Sequence, residues 1–255
     1  MDEKPLNPRK RLKLYKALKI AYMRGNQKRQ RKILKRYGYR LDTDLSNPRE
    51  TLVAYNPFDK KVLFVSNGTD KRSEKDLITD VGLAIGGLKQ SERFMDTKDI
   101  LTKAKDKYKG SKFVLAGSSL GGSLVNSVAS PTDKVLTYNT AYLPRSKAQP
   151  NVKNYRTSGD VVSYFSPKEN TTILKPPPTP AQKPAQPNDN VVFSTLKQVA
   201  LAGAREGLTK AGFSAIPATA GAMGLLQATE ALANRAGNLL KVHSIENIKG
   251  QPIFV

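Results

Sequence analysis

The run Lys112-Phe113-Val114-Leu115-Ala116-Gly117-Ser118-Ser119-Leu120-Gly121-Gly122 drives an apolar segment straight into a G-x-S-x-G turn, and Leu124, Val125 and Val128 follow Leu120 at helical spacing. Nothing else in the chain constrains its fold so tightly. A strand that turns sharply into a helix strains the backbone at its tip. Strand and helix approach closely only where flanking residues lack side chains, the part played by Gly117 and Gly121. Ser119 then stands at the tip, at a helix N-terminus, where the Leu120 amide and the helix dipole face developing negative charge. The same pentapeptide occurs in ordinary Gly/Ser loops; the apolar strand before it and the periodic helix after it set this one apart.

A serine nucleophile needs a general base and a group that orients the base. His243 is the one histidine, it lies downstream of Ser119, and Asp160 falls between them. The chain order Ser, Asp, His is that of the α/β-hydrolases. Asp133 is the second choice of acid. With a single histidine and no cysteine, thiolate chemistry, disulfides and multi-histidine metal centres are ruled out, so no metal or other cofactor is expected.

Around this run the texture changes in blocks. Residues 1–40 hold 15 Lys and Arg against 2 acids, so a net +13 of the chain's +22 sits in this segment. Leu14, Leu18, Ala21 and Tyr22 recur at helical spacing among its lysines, which predicts a basic amphipathic helix, a break near Gly25 and a second basic stretch. No apolar run follows the basic residues as a signal peptide requires. A cationic segment of this kind is attracted to nucleic acid, an acidic protein surface or anionic lipid. Residues 51–55 and 61–65, joined by Asn56-Pro57-Phe58-Asp59, read as a β-hairpin, and a helix is predicted over 93–108 with Phe94, Leu101, Ala104 and Tyr108 on one face. Residues 134–138 and 152–156 are further strand candidates. A proline-rich spacer covers 175–187, and an Ala/Gly-rich segment follows in which 211–229 carry no charge. Pro217 and the polar residues in that stretch favour two short helices over a membrane span.

Five motifs stand in one order: Asn67-Gly68-Thr69-Asp70, Asp76-Leu77-Ile78-Thr79-Asp80, Gly117-Ser118-Ser119-Leu120-Gly121-Gly122, Asp160-Val161-Val162 and His243-Ser244-Ile245. In order and approximate spacing they resemble the class 3 lipases, the fungal triacylglycerol lipase group, over roughly residues 50–165 plus the His243 region. The resemblance implies a triad of Ser119, Asp160 and His243, with an oxyanion hole from the Leu120 amide and from Thr69, which follows the glycine of the family's R-G-[ST] motif. Three positions depart from the family pattern: Ser118 replaces a usual histidine, Asn67 the arginine before Gly-Thr, and Leu77 a common tryptophan.

The fold expected is α/β, an α/β-hydrolase-like mostly parallel central sheet flanked by helices. Its parts are a basic N-terminal arm (1–40), a hydrolase core (41–174), a Pro-rich linker (175–190), an Ala/Gly-rich helical insertion (191–240) and a return to the core with His243 (241–255). The function expected is a serine esterase acting on lipid or phospholipid carboxylic esters, with a lipid or membrane interface as its substrate. The alternative is a non-enzymatic binding or structural protein on a hydrolase scaffold, tethered by residues 1–40 to nucleic acid or an acidic assembly such as a virus particle.

Overall fold

The strands alternate in burial as a sheet covered on both faces requires. Leu52, Ala54, Leu63, Val65, Val114, Ala116, Leu136 and Tyr138 point into one apolar cluster, while Val53, Val62, Phe64, Phe113, Leu115 and Val135 point into another. The computed structural model describes residues 11–23, 26–47, 50–68, 88–142, 147–160, 163, 166–175 and 244–255. Its seven-stranded sheet runs β1 (Arg40–Leu41), β2 (Thr51–Asn56), β3 (Lys61–Ser66), β4 (Lys112–Ser118), β5 (Lys134–Tyr138), β6 (Val152–Thr157) and β7 (Thr171–Leu174), and the spatial order is the sequence order. The β1–β2 and β2–β3 pairs are antiparallel; the four pairs from β3 to β7 are parallel. The expected hairpin forms, its turn closed by the Asn56 side chain, which accepts from the Phe58 amide at 3.0 Å.

Two described helices belong to the crossovers. Helix α3 (Glu92–Lys107) joins β3 to β4, its first turn capped by Ser91 Oγ accepting from the Phe94 amide, and α4 (Leu120–Val128) joins β4 to β5. Parallel crossovers are right-handed, so strands that advance steadily in one direction put both helices on the same face. Accordingly Leu101, Ala104 and Val125 share one cluster with the strand side chains of that face.

The opposite face is covered by the chain's two ends. Helix α1 (Leu14–Ala21) buries Leu14, Ala17, Leu18, Ile20 and Ala21 against the sheet, and Ile248 and Val255 join the same cluster. N- and C-terminal segments pair beside it: Lys13 bridges Phe254 in antiparallel fashion, the Leu14 amide donates to Ile253 O at 2.8 Å, and the Val255 amide to Leu12 O at 3.1 Å.

Three sequence expectations change here. The basic segment is helical as expected, but it is no appendage: α1 is core, and nothing separates it from the sheet at residue 40. The second basic stretch is itself a helix, α2 (Gln27–Lys35), capped by the Asn26 side chain. The short strand β7 was not anticipated, although Thr171-Thr172-Ile173-Leu174 has the β-branched composition of a strand. Beyond Lys175 the Pro-rich spacer, and the whole of the Ala/Gly-rich segment, lie outside the described residues. No helix among the described residues is long and apolar enough to cross a membrane.

Candidate active site

The β4–α4 turn adopts the backbone that the G-x-S-x-G pattern demands. Ser119 has φ 54° and ψ −129°, a left-handed conformation that L-residues avoid unless the surrounding structure enforces it. Three constraints enforce it here. A Cβ on Gly117 would run into the Gly121 carbonyl, and one on Gly121 into the Ser66 carbonyl, so β4, α4 and the end of β3 touch backbone to backbone. The Ser119 amide donates to Tyr138 O on the neighbouring strand at 3.1 Å, and the Ser119 carbonyl accepts from Gly122 and Ser123 to start the helix. Ser119 is 5% exposed, and its Oγ has no hydrogen-bond partner among the described residues. A buried hydroxyl with no described partner, on a residue held in a strained backbone, is the arrangement that a serine nucleophile requires. The Leu120 amide is the first N–H of α4, one of the donors that a helix leaves without an internal acceptor.

This turn lies at the carboxyl edge of the parallel strands, where the fold also brings Asp160. Asp160 follows β6 by three residues, after a turn through Gly159 at φ 81°, and is 1% exposed. Its Oδ2 accepts from the Ser163 amide at 3.0 Å and from Ser163 Oγ, and its carbonyl accepts from Arg156 at 3.1 Å. A carboxylate buried at a strand end and held by hydrogen bonds is a rigid acceptor, the property an acid that orients a base must have. Asp133, the second choice, precedes β5 at the opposite end of the sheet. There it is bound by Lys105 at 2.7 Å and by the Ser130 amide and hydroxyl.

Tyr138 ties these pieces together. Its carbonyl receives the Ser119 amide; its hydroxyl hydrogen-bonds Thr157 Oγ1, whose carbonyl accepts from the Asp160 amide, and donates to Ser244 O at 3.1 Å. Burial first, and then the nearby Asp160 charge, push the Tyr138 hydroxyl up to about 12, so it remains a donor at all ordinary pH. His243 and Thr69 lie outside the described residues. The Tyr138 bridge had no counterpart in the sequence reading. Its only signal was an aromatic residue ending a strand beside the elbow.

A mostly parallel sheet carries a strained serine between strand and helix, with a carboxylate after a later strand at the same edge. The fold is α/β-hydrolase-like. No family model matches the sequence, and no curated protein matches it. Among solved structures it is similar to the Lip2 lipase of Yarrowia lipolytica, with 16% identity over 55% of this chain and 67% of that one at a TM-score of 0.39. It is also similar to Rhizomucor miehei lipase in its propeptide complex, with 13% identity, 63% and 67% coverage and a TM-score of 0.41. For a Penicillium expansum triacylglycerol lipase the values are 14%, 54%, 70% and 0.36. At overlaps this shallow, the active-site assignment rests on the geometry of the chain itself.

Proposed function

We propose that the chain is a serine esterase that cleaves lipid or phospholipid carboxylic esters through an acyl-enzyme intermediate. The observation that carries this reading is the left-handed Ser119 at the N-terminus of α4, its hydroxyl buried and without a partner among the described residues. Ser119 Oγ attacks the ester carbonyl carbon while His243 takes its proton, and Asp160 holds the imidazole in the tautomer that can do so. The oxyanion is held by the Leu120 amide and Thr69. Collapse of the tetrahedral species expels the alcohol, which leaves with the proton from His243, and water repeats the cycle to free the acid. His243 is covalently adjacent to Ser244, whose carbonyl is anchored on the tyrosine that also anchors the Ser119 amide; this supports its role as the base. The uncharged stretch 211–229 supports an apolar substrate over a water-soluble ester.

The test is labelling of the full chain by a fluorescent fluorophosphonate, with and without anionic liposomes, for parent, Ser119→Ala and His243→Ala. The expected result is labelling of the parent, absent in Ser119→Ala and reduced by at least about a thousandfold in His243→Ala. A folded parent that stays unlabelled in both conditions overturns the reading.

A second reading has its own observation. Lys28, Arg29, Arg31, Lys32 and Arg36 on and beside α2 are all exposed, and no acid occurs from residue 4 to residue 41. This concentration favours a polyanion tether for the molecule, whether or not it catalyses. Binding to a nucleic acid should then weaken steeply between low and moderate salt.

A further inference from the structure

Helix α1 ends at the reaction centre. The Asn67–Gly68 turn, which leads from β3 into the Thr69 position, and Ser118, which precedes the nucleophile, are both tied to its last residues. The Asn67 side-chain amide donates to Ala21 O at 3.1 Å in a buried hydrogen bond. The Gly68 amide donates to the Tyr22 hydroxyl at 2.8 Å, and the same hydroxyl shares a hydrogen bond with Ser118 Oγ at 3.1 Å. From the opposite face Arg93 of α3 donates to the Asn67 carbonyl, and the Asn67 amide donates to Glu50 O at 2.7 Å.

The fit around Gly68 leaves no slack. A Cβ there would lie 2.6 Å from the Tyr22 hydroxyl, 2.9 Å from Ser118 O and 3.3 Å from Ser119 Cβ. The hydroxyl is therefore wedged between the two segments that must keep a fixed separation if an oxyanion is to meet donors on both sides. Phenylalanine would keep the ring but remove the hydroxyl that accepts from the Gly68 amide and bonds Ser118 Oγ.

We propose that Tyr22 is a positioning residue for ester cleavage: its hydroxyl sets the distance between the oxyanion turn at Gly68 and the Ser119 elbow. This rests on the esterase reading above. The end of α1 grips Asn67, Gly68 and Ser118, and two of these, Asn67 and Ser118, are departures from the class 3 lipase pattern.

The experiment compares full-length parent, Tyr22→Phe, Ser118→Ala and Tyr15→Phe in p-nitrophenyl ester turnover and fluorophosphonate labelling rate, with Tm measured for each. Tyr15 lies on the same helix, but its hydroxyl donates to Glu246 at 2.7 Å instead. Misplacing a reacting geometry by about 1 Å lowers a rate by about a hundredfold. Tyr22→Phe is therefore expected to lower kcat and the labelling rate by about ten- to a hundredfold, with KM within about twofold and Tm near the parent's. Ser118→Ala, which cuts the Tyr22–Ser118 hydrogen bond and keeps the ring packed, is expected to lower kcat by about three- to tenfold, and Tyr15→Phe by less than about twofold. If Tyr22→Phe fails to fold, the Ser118→Ala rate decides. An active parent whose Tyr22→Phe kcat is unchanged, or falls only as far as that of Tyr15→Phe, overturns the positioning role alone. A parent that neither labels nor turns over ester overturns the esterase reading and Tyr22's role with it.

Discussion

The two faces of the sheet are covered in different ways. One face receives α3 and α4, helices whose place is dictated by the strands they connect. The other receives α1 and the C-terminal segment, which no crossover brings there. They arrive because a sheet advancing in one direction leaves that face bare, and an apolar face of Leu52, Ala54, Leu63, Val65, Val114, Ala116, Leu136 and Tyr138 does not stay in water. The lesson concerns charge. Helices α1 and α2 are both basic and both amphipathic, yet only α2 spends its cations on solvent. In α1 the lysines sit half-buried around an apolar stripe, and Lys19 pairs with Glu246 at 3.1 Å. A local excess of positive charge therefore does not mark a tail.

The comparison breaks most readily at Leu18. If α1 is core, Leu18→Ala costs about 2–5 kcal/mol, as much as Leu101→Ala on the crossover face, because both remove fully packed side chains. Urea unfolding measures both, and a Leu18→Ala effect below about 0.5 kcal/mol would mean that α1 is only an attached arm.

Polar stitching differs between the faces as well. On the crossover face Asp42 accepts from Tyr108 at 2.7 Å and pairs with Lys107 at 2.7 Å. Burial raises the Asp42 carboxyl, but the hydrogen bonds from Lys107, Tyr108 and the Leu45 amide together outweigh it, and the net shift is downward. A carboxyl lowered on folding stabilises fully above its unfolded value, about pH 4, and that contribution is lost as pH falls through the folded value. Asp42→Asn is expected to cost about 1–3 kcal/mol at neutral pH and to lessen the acid loss of stability below pH 4. Parallel pH–Tm curves for parent and variant would remove Asp42 from that account.

The smallest effect belongs to α2. Reversing Lys28 and Lys32 to Glu is expected to change stability by less than about 0.5 kcal/mol while weakening polyanion binding and flattening its salt dependence. Salt titration of DNA binding, with thermal unfolding alongside, checks both halves, and unchanged binding would take α2 out of the tether.

Much of the candidate site was legible because its signals are local. Gly117, Ser119 and Gly121 predict an elbow, and the elbow is there, strained at Ser119. The order of Ser119, Asp160 and His243 pointed to Asp160 as the acid, and the fold puts Asp160 at the same edge of the sheet as Ser119; Asp133 carried no mark of its position and lies at the opposite end. Less legible were Tyr22 and Tyr138, because their significance depends on partners 46 and 106 positions away in sequence. Tyr22 reads as one more residue on a helical stripe, and nothing in its neighbours announces Gly68.

By itself the sequence determined the hairpin, the central parallel strands and helices α1, α3 and α4, where the serine elbow falls and that residues 14–22 are amphipathic, since periodicity and turn chemistry act over a few residues. Only the tertiary structure decided that α1 belongs to the core and ends beside the Ser119 elbow. The surface it covers does not exist until five parallel strands have assembled with the described crossover helices α3 and α4 on the other side.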